Sequence, residues 1–254
     1  MPRIKYQIKK RSTRLISKHY RGFGIHSPYT FHLVRDVIEA KMHYYPFRKL
    51  DRQCQKMLSI LKEKLNKEAL CEEERLWYET EYTHLKDSTK LHRLLFRLLN
   101  FINPKNVAFI GDDSGQNLAY LAKVDSRRKV HCLGSRVFAR SFTSPILSDS
   151  GILNVVFSAL NSEMNQAFDF VQISRTISAR ALFEFENNLD RYLNTECFLI
   201  VEDISKQEEM RLLWERLKRQ ERFSVSLDLF DVGILFSRKG MKKQDYNLSS
   251  RSYK

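Results

Sequence analysis

Phe223-Ser-Val-Ser-Leu-Asp-Leu-Phe-Asp-Val-Gly-Ile-Leu-Phe-Ser237 decides the fold. Two apolar, β-prone runs, Phe223–Leu229 and Val232–Ser237, stand only a few residues apart. Parallel neighbours need a crossover of a dozen residues or more, so this spacing predicts an antiparallel hairpin. Upstream the pattern differs. Short apolar runs alternate with helical segments: Val107–Gly111, Lys129–Leu133, Leu153–Phe157, Phe168–Ile173 and Cys197–Val201. Each is apolar on both faces, as buried parallel strands must be. Such alternation implies βαβ units, hence an α/β fold with a Rossmann-like, doubly wound sheet. Five βα units closed by a hairpin depart from the plain dinucleotide-binding pattern.

Before Pro104 the chain reads as helical. Gly22-Phe-Gly-Ile-His-Ser-Pro28 is its clearest turn. Ser27 is a good N-cap and Pro28 a good first residue for a helix from Tyr29 to about Lys41, with Phe31, Val34 and Ile38 inward. Further helices are predicted over Asp51–Asn66 and Glu72–Leu85. Leu91, Leu94, Leu95, Leu98, Leu99 and Ile102 then recur at helical spacing and mark a strongly amphipathic helix. Ser205-Lys-Gln-Glu208 is a candidate capping box for a helix whose Met210, Leu213, Trp214 and Leu217 face inward. The chain divides on this reading into a helical extension, 1–102, a Rossmann-like domain, 103–240, and a basic tail, 241–254.

Composition narrows the function classes. Of 254 residues 43% are hydrophobic, enough for a core, yet no apolar run approaches the ~20 residues of a membrane span. No apolar stretch follows the charged N-terminus, so the expectation is no signal peptide and no membrane. Cys54, Cys71, Cys132 and Cys197 show no metal or redox spacing and read as free thiols of a cytoplasmic protein. His26, His32 and His43 lack the i, i+4 spacing of a helical metal pair, and no metal is expected. The net charge of +14 is uneven: residues 1–21 carry +8, residues 238–254 carry +5, and the body is nearly neutral. Such ends either bind nucleic acid through phosphates or simply keep the protein soluble. No recognised nucleic-acid motif accompanies them.

Several stretches together resemble one family. Asn103-Pro-Lys-Asn-Val-Ala-Phe-Ile-Gly111, Gly115 and Leu118-Ala-Tyr-Leu-Ala122 look like the first strand, glycine loop and first helix of the class I S-adenosylmethionine-dependent methyltransferases. Glu202-Asp203, Trp214, Leu227-Asp-Leu-Phe230 and Gly233-Ile-Leu-Phe236 resemble that family's closing third. Gly22–Pro28 with Tyr29-Thr-Phe31 is similar to the lead-in of one group of uncharacterised bacterial methyltransferases. The resemblance implies a seven-stranded sheet ordered 3-2-1-4-5-7-6 with the last strand antiparallel. It also implies S-adenosylmethionine as cofactor and methyl transfer to an unidentified acceptor.

The cofactor motifs are degenerate. Where the family has an acid two before the first glycine, this chain has Phe109. Where an acid ends the second strand and holds the ribose hydroxyls, it has Gly134, and where the fourth strand ends in Asp, Ser174. Ser158 or Asn161 stands near the expected adenine position. A charge-assisted hydrogen bond contributes about 1.5–3 kcal/mol, so losing the ribose clamp alone predicts roughly ten- to a hundredfold weaker binding. Gly111 and Gly115 remain. Asp112 and Asp113 either face the cofactor's sulfonium and ammonium or cap the helix beginning near Ser114. Two carboxylates there repel a pyrophosphate and argue against NAD or FAD.

The cofactor-side candidates are therefore Gly111, Asp112, Asp113, Gly115 and Gly134. Asp203, at a strand's carboxyl end, is the candidate catalytic residue, acting as base or substrate contact; the alternative is a loop acid paired with a nearby Lys or Arg. Two functions stand side by side. One is a methyltransferase with weakened cofactor binding. The other is a catalytically silent binding or scaffold protein, with a protein partner or with nucleic acid held through residues 1–21 and 238–254.

Overall fold

The computed structural model describes residues 6, 22–67, 69–134, 136–160 and 166–248. The basic stretch 1–21, apart from Tyr6, lies outside the described residues, as do Asn161 and the end of the C-terminal stretch from 249 on.

Ser27 opens helix α1, Pro28–His32: its hydroxyl accepts from the Thr30 amide, and Pro28 takes the first turn. The helix passes into a π-helical turn, Leu33–Ile38, and stops there, three residues short of the predicted Lys41. Three helices follow: α2, Phe47–Lys67, α3, Glu72–Asp87, and α4, Thr89–Ile102. Asn103 ends α4 in the left-handed region, φ +49°, where its amide reaches back to Leu99.

The strands are β1, Val107–Ile110, β2, Val130–Leu133, β3, Val155–Ser158, and β4, Phe168–Ile173. Then come β5, Leu193–Glu202, β6, Val225–Asp228, and β7, Val232–Phe236. Between them lie α5, Gln116–Ala122, α6, Val137–Asp149, α7, Ala179–Asn187, α8, Leu189–Tyr192, and α9, Glu208–Arg219. The hairpin forms as expected, with Val225 opposite Phe236 and Asp228 opposite Gly233. β7 runs antiparallel to both its neighbours, while β1 to β5 pair in parallel.

The strand count is corrected. Gln244–Asn247 forms β8, parallel to β6, and the sheet order is 3-2-1-4-5-7-6-8. A segment read as a basic tail is thus partly a strand. Its cations serve the fold: Lys243 Nζ donates to the carbonyls of Lys218, Gln220 and Phe223 at the end of α9, at 2.7, 2.9 and 2.9 Å. The Arg238 guanidinium lies 4.0 Å from the centre of the Tyr29 ring. Charge alone hid this, because β8 carries only one large buried apolar side chain, Tyr246.

The Ser205–Glu208 capping box is also corrected. α9 starts at Glu208 behind Gln207, and no side chain among the described residues caps it. The Ser205 hydroxyl instead donates to Asp231 at 2.5 Å. The inward face of α9 is as expected, with Met210, Leu213, Trp214 and Leu217 buried.

Helices cover both faces of the sheet. α1, α4 and α5 pack with Val107, Phe109 and Phe170 on one side; α7, α8 and α9 pack with Ile110, Val171 and Val201 on the other. A third cluster joins α2, α3 and α6 through Met57, Leu61, Trp77, Tyr78, Leu85 and Phe142. That cluster brings α3 against the carboxyl edge of the sheet, where open α/β folds place ligands.

Candidate functional site

The loop after β1, Gly111–Gly115, is the centre of the site. Gly111 (φ +129°) and Gly115 (φ +108°) adopt backbone that other residues rarely take. Closeness requires them too: a Cβ on Gly111 would stand 2.7 Å from Ser174 Cβ, and one on Gly115 would stand 2.8 Å from Met57 Cε. The loop is therefore pressed between the β4 end and α2. Asp112, Asp113 and Ser114 are all buried.

The chain itself occupies the loop's polar groups. Asp113 accepts from the Gly115 amide at 2.8 Å, the Leu118 amide at 3.2 Å and Asn117 Nδ2 at 3.0 Å, so it caps α5. Its carboxyl is pushed above the usual range, by burial first and by the neighbouring Glu81 charge second. The carbonyls of Asp112 and Asp113 accept from the hydroxyls of Thr176 and Thr143. Asp112 accepts from the Arg136 amide at 3.1 Å and from Arg136 Nη1 at 2.8 Å. Arg136 also binds Glu73 of α3 at 2.8 Å and the Thr176 carbonyl at 2.8 Å. The Ser114 amide donates to Glu81 Oε2 of α3 at 2.9 Å.

A second set of charges lies at the end of β5. Asp203 sits at φ +51° and pairs with Lys206 Nζ at 3.0 Å and Arg175 Nη1 at 3.7 Å. Arg175 continues to the Thr80 carbonyl at 2.9 Å and to Glu81 at 3.3 Å. Glu202 is fully buried, with Gln172 and the Arg175 amide as donors. Burial pushes its carboxyl up to about 8, against the lowering effect of Arg175.

The sequence-derived candidates thus fall into two places. Asp112, Asp113 and Gly134 line one cleft, with Gly111 and Gly115 in the same loop. Asp203 stands apart, linked to the loop through Arg175 and Glu81. Phe109 is buried in the core on the α4–α5 side of the sheet. Sequence reasoning missed Glu81, Arg136 and Arg175. Glu81 carried a readable signal: it lies four residues after Trp77, three after Tyr78 and three before His84, inside the buried face of α3. Arg136 and Arg175 sit in connecting loops, where no spacing rule marks a residue. Among the described residues no group of three or more His, Cys, Asp or Glu is placed to hold a metal. No helix among them is long and apolar enough to cross a membrane.

No protein-family model matches the chain, and no curated protein matches it. Solved structures do. The O-methyltransferase from Bacillus cereus in complex with SAH aligns with 14% identity and a TM-score of 0.53, over 82% of this chain and 96% of that one. The cofactor-bound Rv0187 from MTB aligns with 11% identity and a TM-score of 0.54, over 76% and 91%. The SAH-bound methyltransferase from Podospora anserina aligns with 12% identity and a TM-score of 0.51, over 79% and 99%. The strand order, with β7 alone reversed, agrees with these likenesses. The chain has the class I methyltransferase fold.

That fold implies S-adenosylmethionine beside the glycine loop, where this chain's own side chains already occupy several of the polar groups. The cleft there measures about 150 Å³, whereas pockets for drug-sized ligands span roughly 300–1,000 Å³. The Ser114 and Gly115 amides already serve carboxylates of this chain. At position 134 a Cβ would stand 2.6 Å from Asp112 Oδ1, so the Asp112 carboxylate fills the space where a ribose-binding acid would begin.

Proposed function

We propose that this chain is an S-adenosylmethionine-dependent methyltransferase-like protein, with an unidentified acceptor, whose cofactor binding is weakened because an acid of its own helix α3 occupies a donor of the glycine loop. One observation carries the reading: Glu81 of α3 accepts from the Ser114 amide of the glycine loop. A ligand entering there displaces a buried carboxylate that already has its partners. Breaking such a pair costs several kcal/mol, or two to three orders of magnitude in affinity, by the usual cost of removing one partner. In this reading Gly111, Asp112, Asp113, Gly115 and Gly134 are the cofactor-side residues, and Asp203 is the acid nearest an acceptor. Calorimetric titration with S-adenosylmethionine is the test. Binding weaker than micromolar is expected, and a micromolar dissociation constant refutes the reading.

A second reading is a silent binding or scaffold protein that keeps only the fold. Arg136 favours it, because one guanidinium beside the cleft ties Asp112, Glu73 and the Thr176 carbonyl together. In this reading the partner is a protein, or nucleic acid held through residues 1–21 and 238–254.

A further inference from the structure

We propose that α3 is a plug held in cis: Glu81 fills a carboxylate-binding position built by the Ser114 amide and the Arg175 guanidinium. That position takes a small carboxylate from solution once Glu81 is removed. The inference rests on the proposed function only for the identity of the cleft.

The position is built for a carboxylate. The two donors engage different oxygens, the Ser114 amide at Oε2 and Arg175 Nη2 at Oε1. Such two-point, charge-assisted contact selects a planar carboxylate over a spherical anion. Arg175 does not depend on Glu81 for its place, because the Thr80 carbonyl and Asp203 also hold it. The Ser114 hydroxyl is fully buried and has no hydrogen-bond partner among the described residues, a polar atom left over beside the same position.

Glu81 is costly where it stands. It is 2% exposed, it interrupts an apolar helix face, and its charge acts on the buried carboxyl of Asp113. An apolar residue there would suit helix packing better. The acid answers the donors of the glycine loop and of Arg175 instead, and the same contact ties α3 to the loop. Glu73, two turns earlier on α3, is largely exposed and pairs with Arg136 at 2.8 Å. Two cations of the methyltransferase body thus grip two acids of the helical extension.

The test uses the full chain with Glu81→Ala and with Glu81→Gln. Acetate is the probe, against chloride at equal ionic strength, and the readout is thermal unfolding. Glu81→Ala is expected to melt roughly 10 °C below the parent, since it strips a buried partner. About 100 mM acetate should restore several degrees to that variant, and chloride should not. The parent and Glu81→Gln should not respond, because a side chain still fills the position. An equal response to acetate and chloride, or to acetate in all three proteins, overturns the proposal. If Glu81→Ala fails to fold, refolding with and without acetate replaces melting: recovery in acetate alone supports the plug, and no difference refutes it. Titrating the parent with S-adenosylmethionine separates the two ideas. Tight cofactor binding defeats the proposed function and leaves the acetate result to judge the plug.

Discussion

Position 134 separates a site that has lost one residue from a site that has been rebuilt. If only the ribose acid were missing, Gly134→Glu would supply it and raise affinity for S-adenosylmethionine. The structure leads to the opposite expectation. Any Cβ at 134 meets Asp112 Oδ1 at 2.6 Å and the Gly111 carbonyl at 3.1 Å. Asp112 must turn away, which breaks its 2.8 Å contact with Arg136 Nη1 and strains the one to the Arg136 amide. Overpacking costs about 1–3 kcal/mol and a lost charge-assisted hydrogen bond about 1.5–3. Arg136 is about a quarter exposed, so the second figure is discounted by half for solvent screening. Gly134→Ala should therefore cost roughly 2–4 kcal/mol, a fall in Tm of about 5–15 °C. Gly134→Glu adds a like charge beside Asp112 and should be at least as damaging, with no gain in cofactor affinity. In an Asp112→Ala background Gly134→Ala should become nearly neutral, and a double-mutant cycle by urea denaturation measures that coupling. A neutral Gly134→Ala in the parent, or a tenfold gain in affinity from Gly134→Glu, would refute the reasoning.

The pH dependence of stability follows from the buried groups. Burial raises the Glu202 carboxyl from 4.5 to about 8, so its contribution is full below pH 4.5 and lost as pH rises through 8. Burial lowers His92 from 6.5 to about 3 and lowers His84 as well, so their contributions are full above pH 6.5 and lost as pH falls. Stability measured by urea should fall on both sides of a maximum between pH 4.5 and 6.5, and Glu202→Gln should flatten the alkaline limb, whose slope is at most about 1.4 kcal/mol per pH unit for each proton; an unchanged limb rejects the assignment. If residues 1–21 hold nucleic acid, deleting them should abolish binding, and affinity for a duplex should drop steeply from low to physiological salt. Salt-insensitive binding, or binding that survives the deletion, rules that role out.

The sheet was legible because its signals are local. β1 to β5 announce themselves as apolar runs, and the short link between Leu229 and Val232 leaves the hairpin no other geometry. β8 was not legible: Gln244–Asn247 is polar at most positions and gains its place from pairing with β6, which no local window contains. The glycine loop could be read as a loop, but not its occupant. The Ser114 amide and Glu81 are 33 residues apart in sequence, and Arg175 lies 94 residues from Glu81. Ser205 shows the converse failure. Its spacing to Glu208 is right for a capping box, yet Asp231, 26 residues away, takes its hydroxyl.

On the proposed reading, the missing acids and the Glu81 contact are one physical change seen from two sides. A cleft that binds a cationic cofactor tolerates several carboxylates, because the ligand's charge offsets them. Once α3 brings Glu81 to the glycine loop, that offset is gone and each further acid repels its neighbours across a low-dielectric space. The Asp113 carboxyl is raised by burial first and by the Glu81 charge second. The Arg136 guanidinium is already engaged by Asp112 and by Glu73, so an acid at position 134 would compete with both for the same cation. A glycine there removes both the charge and the clash, and Ser174, bonded to Thr176 at 2.8 Å, meets the β4 end with a neutral hydroxyl. The departures at 134 and 174 thus agree with the proposed reading. On the proposed reading their restoration belongs with the removal of Glu81, and Gly134→Glu by itself adds charge to a space that Asp112 already fills.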